Sequence, residues 1–454
     1  MTARVVVAGT HSGVGKTTVA TGLMAAFAGH GRRVAGFKVG PDFIDPSYHA
    51  VATGRPGRNL DAFLSGTEMI APLFVHGAAG ADMAIVEGVM GMFDGAAGAG
   101  EQASTAQVAK LLLAPVLLVV DCSAVARSVA AVVHGFASYD PGVGVAGLIL
   151  NRVASDRHEA SLREALDPLG VPVLGVLRRR AALATPERHL GLVPAAERRL
   201  AAHRTVTALA AALTEACDLP AVAAIAAAAP PLPISPWNPP SGDPSVRSGA
   251  VRIGVASGPA FTFTYQENLE LLEAGGAELV PVDPTADESL AERVAGLYLG
   301  GGFPETHAEA LAANERLRAA VRRFAEDGGP VVAECGGLLY LARTLDGHPM
   351  CGVLPADGRI TSRLTLGYRR AEATVPSVLA GPGLKIRGHE FHYSRVGPAA
   401  GADPAWVLDG GRPEGFVVGG VHASYLHTHW AAFPGVPARL VAAARKEAVA
   451  WAGG

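Results

Sequence analysis

Short runs of Val, Ile and Leu recur through the first half of the chain and alternate with Ala-rich segments of helical length. Up to about residue 217 these runs are RVVVAGT, RVAGFKVG, MAIVEGVM, PVLLVVD, VAGLILN and VPVLGVL. Continuous apolar strands that alternate with helices are typical of a parallel sheet covered by helices on both faces. The pattern therefore predicts an α/β fold for residues 1–217.

A second series of the same kind begins after a change in composition. Residues 218–250 are rich in Ala, Pro and Ser and include PPLPISPWNPPSGDP, whose proline density excludes a helix or a central strand. The apolar runs resume with VRIGVASG and continue through AELVPVD, GLYLGGG and PVVAEC to GGVHASYLHTHW. We therefore expect two α/β domains, at 1–217 and 251–447, joined by a linker at 218–250.

The composition favours small molecules as partners. Of the 454 residues, 49% are hydrophobic and 17% are charged, and the formal net charge is −3. These values give no electrostatic basis for binding nucleic acid or an anionic membrane. The apolar run LLLAPVLLVVD is too short to span a bilayer. Because the four cysteines form no CxxC pair or metal spacing, we expect a reduced, cytoplasmic protein without disulfides. The first apolar run, RVVVAGT, begins almost at once, so no secretory signal is expected.

A phosphate-binding loop is predicted where the first apolar run leads through GTHSGVGKTT into TVATGLMAAFA. In a strand, glycine-rich loop and helix of this kind, backbone amides and the helix N-terminus face the phosphates. Lys16 is expected to reach the β and γ phosphates, and the Thr17 hydroxyl to bind Mg²⁺. Asn151 ends the run VAGLILN, where its amide either reads a base edge or forms a strand-end turn. The predicted ATP-binding residues are Gly13, Gly15, Lys16, Thr17, Thr18 and Asn151.

The loop departs from the usual spacing of such motifs. Thr10 stands where a glycine normally precedes the Gly-Lys pair by five residues, and Gly9 lies one residue earlier. A lysine at position 11 would resemble the partitioning ATPases, which act as dimerising switches, and this chain has His11 instead. The sequence therefore favours an enzyme, while a P-loop switch with a non-catalytic second domain stays an alternative.

Charged residues follow two later apolar runs, in FKVGPDFIDPSYH and MAIVEGVMGMFDG. Ligands of an open parallel sheet bind at the carboxyl ends of its strands, and Mg²⁺ prefers oxygen ligands. Asp42 and Glu87 are therefore predicted to bind Mg²⁺ beside the threonine of the loop. Lys38, Asp45 and Asp94 are predicted to face the second substrate. For any one of these residues alone, a loop cap or a surface charge is an equally good interpretation.

A second site is predicted where the run PVVAEC ends in Cys335 and the segment GGLLYLARTL begins. A cysteine on such a strand-to-helix turn exposes its sulfur and gains thiolate character from the helix N-terminus. The amide of Gly336 can bind an oxyanion. The run GLYLGGG ends in another glycine loop, and Gly301 and Gly302 are predicted to direct a second amide to the oxyanion. The alternative is a buried cysteine that serves only as a small hydrophobic residue.

A thiol nucleophile needs a base, and the segment HASYLHTHW offers His422, His427 and His429. We predict that His427 is the base, whereas a structural role is the alternative for each of the three. An acidic residue two positions after the base would orient it, and that position holds His429. The third member of the site is therefore missing or supplied from elsewhere, with Glu334 and Glu390 as candidates.

The whole chain resembles the cobyrinate a,c-diamide synthase family of corrinoid biosynthesis. The matching stretches are GTHSGVGKTT, KVGPDFIDPSYH, RNLDAFL, VEGVMGMFDG, STAQVAKLL, LILNRV, FTFTYQENLELL, YLGGGFPE, ECGGLLYL, RGHEFHYS and ASYLHTHW. The first half is similar to the dethiobiotin synthetase-like amidoligases, which have a P-loop fold. The second half is similar to class I glutamine amidotransferases of the cobalamin subgroup, in which the acidic residue after the histidine is absent.

The resemblance implies a cytoplasmic ligase that amidates the a and c acetate side chains of cobyrinate or hydrogenobyrinate. It implies ATP and Mg²⁺ at the first site, and ammonia released from glutamine at Cys335. The implied partners are a corrinoid tetrapyrrole, glutamine and ATP, without nucleic acid or membrane, and a homodimer is left open. RGHEFHYS and RNLDAFL favour the diamide synthase. A cobyric acid synthase and a nickel-sirohydrochlorin a,c-diamide synthase carry out similar chemistry and stay open.

Overall fold

Separate sheets divide the chain into two units, Met1–Asn238 and Pro239–Gly454. The structure is a computed structural model that describes residues 2–179, 187–188, 191–192, 194–240 and 250–452. Each unit is built on a largely parallel sheet, which confirms the α/β prediction for both halves.

The first unit holds a seven-stranded sheet and a short two-stranded one. Its strands are β1 (Ala3–Gly9), β2 (Val34–Val39), β3 (Arg58–Leu60), β4 (Met83–Glu87), β5 (Val116–Asp121), β6 (Val145–Val153), β7 (Val173–Arg178), β8 (Glu187–Arg188) and β9 (Gly191–Leu192). The larger sheet has the order β3-β2-β4-β1-β5-β6-β7, and its pairings are parallel. Strands β2 and β4 are buried at every residue, as expected for a sheet covered on both faces. The carboxyl ends of β2, β4 and β1 therefore lie side by side.

Helices follow most of these strands and cover the sheet. They are α1 (Lys16–Gly29), α2 (Ile44–Thr53), α3 (Thr67–Gly77), α4 (Thr105–Leu111), α5 (Val129–Ser138), α6 (Asp156–Leu166), α7 (Arg199–Ala216) and α8 (Leu219–Ala227), with 3₁₀ turns at Asp167–Leu169 and Ala195–Arg198. Helix α1 begins directly after the loop of the GKTT motif, so the strand, loop and helix predicted there are confirmed.

The segment predicted as a linker, 218–250, begins with a helix. Helix α8 forms because the Asp218 side chain accepts a hydrogen bond from Ala221 N at 2.9 Å, which caps an Ala-rich sequence. The consecutive prolines that exclude a helix begin only at Pro230.

The stretch after α8 is held by the first unit. Trp237 is buried, its amide donates to Pro72 O at 2.9 Å, and its ring packs edge-on against His76 at 5.0 Å between centroids. Residues 241–249 of the predicted linker lie outside the described residues. The limits 1–217 and 251–447 stay predictions.

The second unit contains two larger sheets. Its strands are β10 (Val251–Ala256), β11 (Ala277–Val282), β12 (Val294–Leu299), β13 (Val331–Glu334), β14 (Thr344–Leu345), β15 (His348–Pro349), β16 (Asp357–Glu372), β17 (Lys385–Gly397), β18 (Trp406–Leu408), β19 (Arg412–Glu414), β20 (Phe416–Val418), β21 (Val421–Ser424) and β22 (His427–Thr428). One sheet has the order β11-β10-β12-β13-β21-β20, in which the first five strands are parallel and β20 is antiparallel. These five strands are the apolar runs predicted from the sequence.

The other sheet was not predicted. Its order is β15-β14-β16-β17-β22, with β18 attached to β16 and β19 attached to β18, and the long antiparallel pair β16–β17 forms its centre. Strand β16 is mostly exposed or half-buried, so its sequence carries no continuous apolar run. Strand β22 pairs with β17 and sets His427 opposite His389.

The helices of the second unit are α9 (Gln266–Ala274), α10 (Ala308–Ala313), α11 (Glu315–Glu326), α12 (Gly336–Leu341) and α13 (Gly435–Ala452), with 3₁₀ turns at Pro304–His307 and Trp430–Ala432. Helix α12 starts directly after Cys335. In the part of the chain that the structure describes, none of the helices combines the length and the apolar character needed to cross a bilayer.

Candidate active sites

The glycine-rich loop between β1 and α1 is held in place by a side chain of strand β6. Gly13 and Gly15 have φ angles of 77° and 103°, in the left-handed region that glycine adopts freely. The Asn151 side chain donates from Nδ2 to Val14 O at 2.9 Å. A Cβ on Gly15 would lie 2.3 Å from that nitrogen, so a side chain there would displace Asn151. The loop conformation therefore depends on Asn151, and its predicted reading of a base edge stays a prediction.

Lys16, the first residue of α1, folds its side chain back over the loop. Its Nζ donates to His11 O at 3.1 Å and also to Met90 O. Burial and, to a smaller extent, the positive charge of Lys38 outweigh the carboxylates of Glu87 and Asp45 and lower the pKa of Lys16 to about 8. Within the described residues, the hydrogen bonds of this ammonium go to carbonyl oxygens, which phosphate oxygens can replace.

Next to the loop, four of the predicted site residues form one cluster. The Thr17 hydroxyl donates to Glu87 Oε1 at 2.5 Å and lies 3.4 Å from Asp45 Oδ2. Lys38 Nζ lies 2.7 Å from Asp45 Oδ2 and 2.9 Å from Glu87 Oε1. His49 Nε2 lies 2.7 Å from Glu87 Oε2. The cluster therefore joins α1, β2, α2 and β4 at the carboxyl edge of the sheet.

The two carboxylates of this cluster have opposite pKa shifts. Burial alone would raise the pKa of Glu87, but the charge of Lys38 and the hydrogen bonds from His49 and Thr17 outweigh it and hold that pKa below its usual range. Burial raises the pKa of Asp45, and the negative charge of Glu87 raises it further. Burial opposes the charge of Lys38, yet Asp45 and Glu87 together raise its pKa. Lys38 bridges both carboxylates, and Glu87 is the one whose charged form its neighbours favour most.

Asp42 and Asp94 lie elsewhere and support loops. The Asp42 carboxylate accepts hydrogen bonds from Ile44 N at 3.2 Å and Asp45 N at 2.9 Å, in the first turn of α2. Asp94 accepts a bond from Gly91 N at 2.9 Å. The structure therefore brings Asp45, rather than Asp42, into contact with Thr17 and Lys38.

Lys38 also differs from its predicted position. It was expected to face a second substrate, but it is only 5% exposed and is enclosed by Glu87, Asp45 and the Gly88 carbonyl. Sequence reasoning missed His49, which is fully buried against Glu87. Its one signal was its position in FIDPSYH, four residues after Asp45 and so on the same helix face.

In the second unit, Cys335 lies on a sharp turn between β13 and α12. Its φ angle is 49°, in the left-handed region, and its amide donates to Ser424 O at 2.7 Å. The two glycines that follow are required by space, since a Cβ on Gly336 would lie 2.9 Å from Gly302 N and one on Gly337 would lie 2.2 Å from Leu299 O. The strand, strained cysteine and glycine pair form the elbow that the sequence predicts.

The thiol itself is buried, contrary to the expected exposure of its sulfur. Cys335 is 3% exposed. Burial raises its pKa, the charge of Glu305 adds to this effect, and the hydrogen bond from Gly336 N opposes it. The expected gain in thiolate character from the helix is therefore wrong, because α12 spans only Gly336–Leu341 and burial dominates. The thiol needs a base in order to react.

The glycine loop after β12 supplies one amide fewer than expected. Gly301 N donates to Phe263 O at 3.0 Å, and Gly301 O accepts from Phe263 N at 3.0 Å. That amide is already bonded, so the prediction for Gly301 is wrong. The amide nitrogen of Gly302 lies next to Gly336. Gly302 and Gly336 therefore stay as the candidate pair for an oxyanion.

Of the three predicted histidines, His427 lies against this loop. A Cβ on Gly301 would lie 2.3 Å from His427 Cε1. Burial lowers the pKa of His427 to about 3, with smaller contributions from His389 and His392, so the imidazole is neutral at pH 7. His422 bonds through Nδ1 to Ser377 Oγ at 3.0 Å. His429 Nε2 lies 3.4 Å from Glu267 Oε2.

The two candidates for a third member have different environments. Glu390 Oε2 accepts bonds from Arg369 Nε at 2.5 Å and Arg412 Nη2 at 2.9 Å. Burial would raise the pKa of Glu390, but its hydrogen bonds and the two arginines hold it at about 2. Glu334 instead contacts Thr428, and burial raises its pKa to about 7.

A pocket of ≈ 630 Å³ lies beside these residues in the second unit. Its walls include side chains of both charges, among them Glu390, Arg412, Glu414 and Arg395, and the ring of Tyr425. Tyr425 directly follows Ser424, whose carbonyl accepts the Cys335 amide. A pocket with both charges suits a small zwitterion, because an α-carboxylate and an α-ammonium each find an opposite charge. Sequence reasoning missed the arginines, which come from the unpredicted sheet.

These geometries define a class of protein, in which a P-loop nucleotide-binding unit and a glutamine amidotransferase unit share one chain. Residues 5–193 match the family model of the CobQ/CobB/MinD/ParA nucleotide binding domain, and residues 252–435 match that of the CobB/CobQ-like glutamine amidotransferase domain.

Curated relatives match the chain along nearly its whole length. Hydrogenobyrinate a,c-diamide synthase from Streptomyces coelicolor is 58% identical, with 96% of each chain covered, and its counterpart from Thermobifida fusca is 50% identical, with 97% and 96% covered. Cobyrinate a,c-diamide synthase from Gloeobacter violaceus is 45% identical, with 94% and 93% covered. The chain belongs to the cobyrinate and hydrogenobyrinate a,c-diamide synthase family.

Proposed function

We propose that this chain is a ligase that uses ATP and glutamine to convert the a and c acetate carboxylates of hydrogenobyrinate into carboxamides. The observation that carries the proposal is that one chain holds both a nucleotide-binding centre and a Cys/His centre. Over 96% of its length this chain matches a relative named hydrogenobyrinate a,c-diamide synthase. A carboxylate has no leaving group that ammonia can displace, so the reaction needs one centre to activate it and another to release ammonia. This division explains the two units.

In the glutamine half, Cys335 Sγ attacks the side-chain amide carbon of glutamine, and the thiol proton passes to His427. A neutral imidazole is required for this step, and the low pKa of His427 supports it. The oxyanion is stabilised by the amides of Gly302 and Gly336. When the C–N bond breaks, the nitrogen takes the proton from His427 and leaves as ammonia. Water then gives a proton to His427 and attacks the thioester carbon. The C–S bond breaks, glutamate leaves, and His427 returns the proton to the Cys335 sulfur.

In the ATP half, a carboxylate oxygen of the tetrapyrrole attacks the γ-phosphorus of ATP. The bond to the β,γ-bridging oxygen breaks, ADP leaves and an acyl phosphate forms. Lys16 offers positive charge to the transferred group, and the amides of Gly13 and Gly15 belong to the loop that would cradle the phosphates. Ammonia then attacks the acyl carbon, phosphate leaves, and loss of one proton gives the carboxamide.

Magnesium is proposed as a cofactor of the ATP half. Asp45 Oδ2 and Glu87 Oε1 lie within 3.4 Å of the Thr17 hydroxyl, and oxygen ligands are what Mg²⁺ prefers. Among the described residues no group of three or more His, Cys, Asp or Glu could hold a metal ion. A bound Mg²⁺ would therefore need Thr17 and the nucleotide phosphates to complete its coordination, and it would neutralise charge on the phosphates.

The cobalt-free tetrapyrrole is proposed as the preferred substrate. Two relatives named for hydrogenobyrinate share 58% and 50% identity with this chain, and the relative named for cobyrinate shares 45%. The test is to incubate the purified protein with ATP, Mg²⁺, glutamine and either hydrogenobyrinate or cobyrinate, and to compare kcat/KM and product masses. Two new carboxamides on hydrogenobyrinate, with one ATP consumed for each, are expected. A higher kcat/KM for cobyrinate would overturn the assignment of hydrogenobyrinate as the preferred substrate. If neither compound is amidated, the proposed function itself is wrong.

The cellular location of the enzyme is also part of the proposal. ATP and glutamine are supplied in the cytoplasm, and Cys122, Cys217, Cys335 and Cys351 are free thiols, which supports a cytoplasmic location. The homodimer stays a prediction, and sedimentation of the purified chain would test it.

A further inference from the structure

A buried network of hydrogen bonds surrounds Thr428, the residue that follows His427. Glu334 Oε1 accepts bonds from Thr428 N at 3.1 Å and from Thr428 Oγ1 at 2.7 Å. Asn268 Nδ2 donates to Thr428 O at 2.8 Å, and Trp430 Nε1 donates to Thr428 Oγ1 at 2.8 Å. Every polar group of Thr428 is therefore bonded, and the place of the residue is fixed.

The other oxygen of Glu334 is bonded as well. Glu334 Oε2 accepts from Tyr298 OH at 3.1 Å, and Tyr298 OH in turn accepts from Asn268 Nδ2 at 3.3 Å. Asn268 Oδ1 accepts from Trp430 N at 2.8 Å, which closes the network. Glu334, Tyr298 and Asn268 are at most 3% exposed. Buried polar groups that lose a partner are costly, so the network has essentially one arrangement.

This network connects the two catalytic segments of the glutamine half. Glu334 directly precedes Cys335, and Thr428 directly follows His427. A single carboxylate therefore links the end of β13, which carries the nucleophile, to β22, which carries the base. The link spans 94 residues of sequence.

We infer that Glu334 is a positioning residue that holds His427 at the right place relative to Cys335, in the absence of an acidic residue at position 429. The inference rests on the proposed glutaminase reaction. Glu334 acts through the backbone and hydroxyl of Thr428 and touches no reacting atom. Glu390, the other candidate, is bonded to Arg369 and Arg412 instead.

The experiment uses the full chain and measures glutamine hydrolysis by Glu334→Ala, Glu334→Gln and Thr428→Val. A small displacement of a catalytic group costs about 10²-fold in rate, so Glu334→Ala is expected to lose about that much in kcat while KM for glutamine stays close to wild type. In Glu334→Gln the amide oxygen still accepts both Thr428 bonds, so most of kcat should return. Thr428→Val removes one of those bonds and should give an intermediate kcat.

A second readout follows the thiol directly. The pH dependence of Cys335 alkylation by iodoacetamide reports how well His427 takes the thiol proton, in a field that also contains Glu305, Glu334 and Glu390 around the thiol and His389 and His392 around the imidazole. Both substitutions remove the Glu334 charge, which by itself raises the pKa of the thiol, so the informative comparison is between the two variants. The midpoint is expected at higher pH in Glu334→Ala than in Glu334→Gln.

Thr285→Val is the matched control. Thr285 Oγ1 also donates to a carboxylate, that of Asp283 at 2.6 Å, but it follows β11 at the edge of the sheet. Its kcat and alkylation profile should equal those of the wild type. The inference is overturned if Glu334→Ala keeps the wild-type kcat, or if Glu334→Gln is as slow as Glu334→Ala and the alkylation midpoints of the two variants coincide. A wild-type chain that does not hydrolyse glutamine would instead overturn the proposed function.

Discussion

Gly301 and the ring of His427 are packed so closely that a Cβ at position 301 would lie 2.3 Å from His427 Cε1. Gly301→Ala must therefore push the ring aside. Because the backbone of Gly301 is not in the left-handed region, alanine can adopt it, and the effect should be confined to the ring. We expect glutamine hydrolysis to fall by about 10²-fold, as for other small displacements of a catalytic group. Steady-state assays of glutamate release would measure this.

Gly435→Ala is the control for that variant. No atom lies within 4 Å of a Cβ at position 435, which is the first residue of α13. Its glutamine hydrolysis should match the wild type. A Gly301→Ala protein with normal hydrolysis would show that the ring can move without loss, and would argue against His427 as the base.

Replacing Cys335 by Ser separates the two centres. We expect Cys335→Ser to lose glutamine-dependent amidation and to keep amidation from added ammonium salts, because only the source of ammonia is removed. Lys16→Ala should lose both activities, since the activated carboxylate is no longer formed. Assays with each nitrogen donor would measure the two patterns.

Cys351→Ser is the control for the effect of replacing a buried cysteine by serine elsewhere in the same unit. Cys351 is a second buried free thiol of the same unit, and it contacts the Tyr340 side chain rather than the elbow. Both activities should persist in this variant. Equal loss of both activities in Cys335→Ser would reject the division of labour between the two units.

Local patterns of sequence were sufficient to predict the sheets that carry the sites. The order of strand, glycine loop and helix is encoded within about 20 residues, and so is the elbow at Cys335, because each depends on neighbours in the chain. Fully buried parallel strands such as β4 are continuous apolar runs that are easily recognised. The pair β16–β17 lacks such runs, and the arginines of the glutamine-half pocket were missed with it.

Contacts between distant segments were beyond prediction from the sequence. Asp42 and Asp45 are three residues apart, and which of them contacts the phosphate-binding loop depends on where α2 begins. Glu334 was a candidate only because it adjoins Cys335, and its bond to Thr428 requires the fold. The protonation of the Cys335 thiol is likewise decided by burial, which the sequence of a six-residue helix does not reveal.

The lowered pKa of Lys16 predicts a pH dependence of nucleotide binding. Its pKa is about 8 because it is buried and lies near the charge of Lys38, so the free protein loses this charge as pH rises through that value. Binding of ATP needs the charge, so the Kd should increase above pH 8, by at most about tenfold for each pH unit. Titration with ATP between about pH 7 and pH 9 would measure it. Lys16→Ala should bind ATP more weakly, and its Kd should not change with pH in this range. If Kd rises equally with pH in both proteins, another group causes the pH dependence.

The buried ion pair of Lys38 and Glu87 should make a large contribution to the free energy of local opening of β2 and β4. Lys38→Met leaves Glu87 and Asp45 without their shared ammonium, and breaking a buried pair costs about 3–5 kcal/mol. Native-state hydrogen exchange of β2 and β4 would measure the loss as a lower free energy of opening. The double variant Lys38→Met/Glu87→Gln removes both charges of the pair and should recover part of it, because no uncompensated charge then stays at position 87.

An exposed ion pair at the other end of β2 and β4 provides the control for Lys38→Met. Arg33 and Asp82 precede β2 and β4 and form an ion pair at 2.6 Å at the opposite end of the strands, but both side chains are exposed to solvent. Water and salt screen such a pair, so Arg33→Met should change hydrogen exchange far less than Lys38→Met does. If the two variants lower protection equally, burial is not what makes the inner pair important. The difference between them would also show that the carboxyl edge of this sheet, where the nucleotide loop lies, carries charges that the fold itself requires.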